Sequence, residues 1–225
     1  MSLSRRALIR AGVGSACTLA ATGVEALQQS KPPDVAGAAP ADRMPPIPAD
    51  KMTAQQKKAS EEFLAARNTP VFGPFVPLLR SPEVMLRARA MGDYLRYKTV
   101  LPPRLNEFAI LITARQWTQP YEWAAHQPIA LKAGLDPEIV QAVAEGRRPK
   151  NMPEEEEIVY EFCIELHRNQ SVSDATYARA VAKFGEQGVI DLVGVNGYYT
   201  FLAMVLNVAR TPTAKNAVLL NPLPR

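Results

Sequence analysis

The chain has 225 residues, 47% of them hydrophobic and 21% charged, which is the make-up of a folded domain and excludes a disordered chain. Its formal charge of +4 falls to +2 without residues 1–26, which hold three arginines and one glutamate, so nothing in it marks a nucleic-acid partner. One of its two cysteines, Cys17, lies in that segment, so the remainder cannot form an intramolecular disulfide.

Ser4-Arg5-Arg6-Ala7-Leu8-Ile9-Arg10 has the twin-arginine pattern, and a small-residue apolar run follows from Ala11 to Ala21. That run is too short to span a bilayer. It predicts a signal segment over residues 1–26 and a periplasmic location, without a stable membrane span. Residues 27–50, with Lys-Pro-Pro and Met-Pro-Pro-Ile-Pro, predict a flexible tether.

From residue 51 onward the punctuation is that of helices. Thr53 and Gln56 have capping-box spacing. Ser81-Pro82-Glu83 places a cap, a proline and an acid in order at a helix start. Between them Val71-Phe-Gly-Pro-Phe-Val-Pro77 is apolar but too proline-rich for a central strand; it either packs over the core or lines a pocket. Pro103 opens a helix to about Trp117, and Pro120 opens another to Gly134 that Pro128 is expected to kink. Further helices run from Asp136 to Gly146, from Asn151 and Pro153 to Arg168, from Ser173 to Gly185, and from Val189 to Ala209. The fold class is therefore all-α, of about seven helices joined by short turns.

The chemistry concentrates at the Thr118-Gln119-Pro120 turn. Glu122 and His126 are four residues apart and share a helix face. The helix ending at Trp117 runs antiparallel to theirs, and counting rises of 1.5 Å from the turn sets Glu107 near His126. A histidine between two carboxylates is held in one tautomer, as general acid–base catalysis requires. The same spacing also suits a purely structural ion pair. Arg104 is a candidate for holding a substrate carboxylate, or else an interhelix salt bridge. Trp117, Gln119, Tyr121 and Trp123 surround the turn and are candidates for substrate binding; the aromatic three either wall a substrate pocket or pack into the core. His167 is expected to complement a helix C-terminus, and Cys163 to be a buried small hydrophobe. Two histidines are too few for a metal shell around this site, and none is expected.

Arg104-Leu-Asn-Glu107, Tyr121-Glu-Trp-Ala-Ala-His126 and Ala130-Leu-Lys-Ala-Gly134-Leu-Asp-Pro-Glu138 resemble the carboxymuconolactone decarboxylase family, within the alkylhydroperoxidase D-like superfamily. Val172-Ser-Asp-Ala-Thr-Tyr177, Phe184-Gly185 and Val189-Ile-Asp-Leu-Val-Gly194 continue the likeness, which covers most of residues 55–212. The resemblance implies an alkylhydroperoxidase D-like helical domain over residues 51–225 and a homo-oligomer, a trimer or hexamer. It also implies a cofactor-free lyase or isomerase acting on a carboxylated lactone or related aromatic-degradation product, with Glu107, Glu122 and His126 catalytic. The peroxidase branch carries Cys-x-x-Cys-x-x-x-His, and here its two cysteine positions fall on Gln119 and Glu122. A peroxidase-like oxidoreductase is thus the alternative that the missing thiols oppose, and a non-catalytic binding subunit is the other.

Overall fold

A proline or a polar cap stands before nearly every helix, because the first helical N–H groups have no intrahelical partner. The computed structural model describes residues 41–213 and 220–223, and it is all-helical, with no strand among them. Eight α-helices follow one short 3-10 turn at Ala49–Lys51: α1 (Ala54–Arg67), α2 (Phe75–Leu78), α3 (Pro82–Tyr97), α4 (Pro103–Gln116), α5 (Pro120–Lys132), α6 (Pro137–Ala144), α7 (Glu154–Asn169) and α8 (Asp174–Ala209). The expected signal segment, residues 1–26, lies outside the described residues.

Thr53 and Gln56 make the reciprocal capping box, and Asp136 and Ser173 accept from the backbone N–H groups of Glu138 and Thr176. Ser81 makes no side-chain cap, so the start of α3 rests on Pro82 and Glu83. Pro128 stays inside α5 without splitting it. Gly185 adopts φ 69° and ψ 173°, so α8 is two helical runs across a kink placed where the sequence predicts a helix end. The apolar stretch at 71–77 contains one helical turn, α2, that the proline count hid. Residues 41–50 were expected within the tether, yet they are fastened to the body. Arg43 N–H donates to the Ala209 carbonyl at 2.8 Å, and Arg80 donates to the Pro45 carbonyl at 2.7 Å.

α4 is the centre. Every residue from Leu105 to Arg115 is buried, since Phe-Ala-Ile-Leu-Ile-Thr-Ala is apolar around the whole circumference and must be enclosed on all sides. It packs against α5, α7 and α8. Burying Phe108, Ile110 or Leu111 contributes about 1.5–3 kcal/mol each, and truncating one to alanine would cost about 2–5 kcal/mol with the cavity it leaves. Among the described helices, α8 alone is long and apolar enough to cross a membrane; 56% of its most apolar window is buried within this fold, as expected of a core helix. At Gly92 a Cβ would meet the Tyr198 hydroxyl oxygen at 2.2 Å, and at Gly194 it would meet Leu95 at 2.9 Å. These two glycines let α3 lie close along α8, which decides what α3 presents to the site.

Candidate functional site

The turn between α4 and α5 is tight enough to bring their facing side chains together. Trp117 ends α4, and Gln119 caps α5 by accepting from Tyr121 N–H at 2.7 Å. His126 Nδ1 then lies 2.6 Å from Glu107 Oε2, and His126 Nε2 lies 3.7 Å from Glu122 Oε2. All three side chains are buried, at 5%, 5% and 3% exposure for His126, Glu107 and Glu122. A carboxylate only accepts, so the Glu107 contact draws the imidazole proton to Nδ1 and turns the Nε2 lone pair toward Glu122. The Tyr199 ring stands edge-on to the imidazole, with centroids 5.0 Å apart, and fixes its plane.

Glu122 differs chemically from Glu107. Burial raises its pKa, and the neighbouring Glu107 adds to that; His126 and Arg96 pull the other way, and the balance is pushed up to about 7. One of its oxygens, Oε1, has no hydrogen-bond partner among the described residues. A carboxyl group that holds its proton near neutral pH and has an uncommitted oxygen can act as an acid.

Glu122 and His126 border a cavity of about 160 Å³, whose lining also includes Arg67, Phe72, Arg96 and Tyr121. Its walls come from α1, the 71–77 segment, α3, α5 and α8. The two readings of that segment are therefore not exclusive: Phe72, Pro74 and Phe75 face the cavity, while Phe75 also joins the core and Val71 packs against it. A larger groove of about 300 Å³ beside Ile47, Leu64 and Val71 is almost wholly apolar and holds none of the site residues.

The expected substrate-binding residues divide. Tyr121 lines the cavity. Arg104 does not; it forms ion pairs with Glu155 and Glu156 at the start of α7, where four acids crowd a helix N-terminus and outcompete any ligand for it. Trp117 turns its indole N–H to Thr200 at 3.0 Å, and Trp123 is wholly buried in the core. Gln119 is spent on capping α5 and on Asn207, to which it donates at 2.8 Å. Two arginines line the cavity instead, Arg67 and Arg96, and of these Arg96 makes no ion pair among the described residues. It follows Gly92 by one turn of α3, and a glycine inside a helical run is the signal of close approach that could have found it. No group of three His, Cys, Asp or Glu side chains among the described residues is arranged to hold a metal. Cys163 is buried, and burial pushes its thiol up to about 12, far from the reactive thiolate range.

No protein-family model matches the chain, and no curated protein matches it by sequence. Solved structures do match in three dimensions. One is the alkylhydroperoxidase AhpD core of an uncharacterised peroxidase-related protein from Ralstonia eutropha JMP134, with TM-score 0.62 and 15% identity over 79% of this chain and 95% of that one. Another is a cysteine-to-alanine variant of the debrominase Bmp8 in complex with 2,3,4-tribromopyrrole, with TM-score 0.59 and 11% identity over 76% of this chain and 91% of the other. At these identities the likeness speaks of architecture: the chain has the alkylhydroperoxidase D-like helical fold.

Proposed function

We propose that the protein is a cofactor-independent acid–base enzyme, of lyase or isomerase type, acting on a small carboxylated lactone or a related ring compound from aromatic degradation. The observation that carries this reading is the buried Glu107–His126–Glu122 set opening on a cavity. The superfamily fold includes enzymes, as the debrominase neighbour illustrates, and is compatible with several reactions.

Two branches share the same proton handling. In decarboxylation, the bond to the carboxylate carbon breaks, carbon dioxide leaves, and the electron pair moves into the conjugated ring carbonyl. Glu122 then protonates the dienolate carbon and is itself reprotonated from solvent, so one proton is consumed per turnover. In isomerisation, His126 Nε2 removes a proton from one carbon and Glu122 delivers one to another. The imidazolium returns its proton to Glu122 across the 3.7 Å between them, and no net proton is used. Glu107 orients the ring and stabilises the imidazolium in both. A thiol peroxidase reading is opposed by Gln119 and Glu122 at the turn and by the inert Cys163.

The test is incubation with a panel of lactones and ring-cleavage acids, with products identified by mass spectrometry. Conversion of a carboxylated lactone that vanishes in His126→Ala supports the reading. Conversion only of peroxides, dependent on Cys163, overturns it. Homo-oligomerisation and export belong to the same proposal. Met91, Ile190, Val193, Met204 and Val208 expose apolar surface on α3 and α8, which favours self-association. Light scattering at the mass of a single chain would refute it.

A further inference from the structure

We propose that Arg96 is the anion-binding residue of this cavity, and that the cavity selects small planar monocarboxylates through it. This rests on the reading of the cavity as a substrate site and goes on to say what the substrate must carry.

Two guanidinium groups line the cavity, and they are not equivalent. Arg67 is committed: its Nε donates to Asp93 at 2.9 Å, its terminal nitrogen lies 2.8 Å from the same carboxylate, and its plane lies over Phe75 at 4.7 Å. Arg96 makes no ion pair among the described residues, and its Nε is buried without a hydrogen-bond partner. The Tyr97 ring lies 5.1 Å from its guanidinium carbon, a contact that leaves the fork of donors available. A partly buried guanidinium without a carboxylate is costly to leave unpaired, and a planar carboxylate is the group that matches its donor geometry.

The charge on Arg96 is secure. Burial works against it, but neighbouring groups, Tyr199 first, outweigh that, so its pKa lies above the ordinary value and the guanidinium is charged at any working pH. Glu122 does not compete as a permanent partner, because it holds a proton up to about pH 7. The volume sets the size. At about 160 Å³ the cavity is smaller than the roughly 300–1,000 Å³ of common ligand pockets, so a single ring with one carboxylate suits it and a fused or extended ligand does not. Phe72, Phe75, Tyr198 and Tyr199 supply faces and edges for that ring.

The pairing also separates the two branches. A carboxylate bound to guanidinium is stabilised in the ground state, and losing it as carbon dioxide forfeits that stabilisation on the way to the transition state. The group that Arg96 holds is therefore one that survives the reaction, which favours proton transfer within a retained carboxylic acid.

The test uses 2-furoate and its uncharged isostere 2-furamide as probes, with binding to the full chain followed by ligand-observed NMR and calorimetry, so that no turnover is needed. Wild type should bind 2-furoate roughly tenfold or more tightly than 2-furamide, the size of one charge-assisted hydrogen bond. Arg96→Gln should abolish that preference and Arg96→Lys should keep part of it, with far-ultraviolet circular dichroism and melting confirming that each is folded. His126→Gln should retain the preference, because it leaves the guanidinium in place. If wild type shows no preference, including no detectable binding of either probe, or if Arg96→Gln keeps it, the proposal is overturned. Selective furoate binding alongside no conversion of any lactone would instead remove the acid–base reading and leave the anion site standing.

Discussion

His126 and His167 are the chain's two histidines, both on helices packed against α4, and they differ in every respect that matters for chemistry. His126 is flanked by two carboxylates and opens on a cavity beside a cation. His167 lies at the end of α7, with Nε2 3.2 Å from Thr113 Oγ1. Thr113 Oγ1 also lies 3.1 Å from Asn196 Oδ1, and Asn196 in turn donates to Cys163 Sγ at 3.3 Å. Burial lowers the His167 pKa, with the Asn196 side chain working the other way, so the ring is held neutral among neutral partners. The comparison teaches that a histidine packed against the core gains a proton-handling role from charged partners and access to a cavity, neither of which follows from packing alone. His167 completes a satisfied core network instead of the dipole-complementing role expected from its place at a helix end.

The largest effects should separate the two histidines. His126→Ala and Glu107→Gln should each lower turnover by roughly 10²–10⁴-fold, the usual contribution of a general acid–base group. His167→Gln should leave turnover unchanged. Turnover at a temperature where every variant is fully folded checks both statements together.

Glu122 sharpens the contrast through pH. Its carboxyl titrates near 7 in the folded chain and near 4.5 unfolded, so the folded state holds the proton more tightly. The stability tied to it is fully present below pH 4.5 and is lost as pH rises toward 7, by up to about 3 kcal/mol. Glu122→Gln, which mimics the protonated form, should therefore melt higher than wild type at pH 8 and lose that advantage at pH 4. Wild-type turnover should fall as pH rises through about 7. A melting difference independent of pH would show that folding does not raise the Glu122 pKa.

Smaller effects belong to the neutral cluster. Removing the His167 contact should cost about 1 kcal/mol, read by denaturant unfolding, as for an ordinary hydrogen bond. Cys163→Ser should change stability by no more than about 1–3 kcal/mol and turnover not at all. A large loss of turnover in folded Cys163→Ser would bring the thiol back into the chemistry.

Much of this architecture was legible in local patterns. Prolines at 82, 103, 120 and 137 open helices because the missing N–H is no loss there. The short turn at Thr118 led by simple rise to a Glu107–His126 contact. What local patterns hid was competition between distant partners. Arg104 is three residues before Glu107, yet the acids of α7, about fifty positions away, hold it. Arg96 reaches the cavity only because Gly92 and Gly194 let α3 and α8 approach, a fact of tertiary packing with no signature at Arg96 itself. Trp117 and Trp123 follow the same logic: both adjoin the turn, but helix rotation turns one toward Thr200 and the other into the core.

The central claim is that Glu107 and His126 act as one unit, and a double-mutant cycle on turnover tests it most directly. With Glu107→Gln, His126→Ala and the pair assayed on the substrate found by the panel, the double variant should be little slower than the slower single one, because each change alone disables the unit. Losses that multiply, or a His126→Ala variant that melts early yet turns over near the wild-type rate while folded, would make the 2.6 Å contact a structural ion pair and contradict the account.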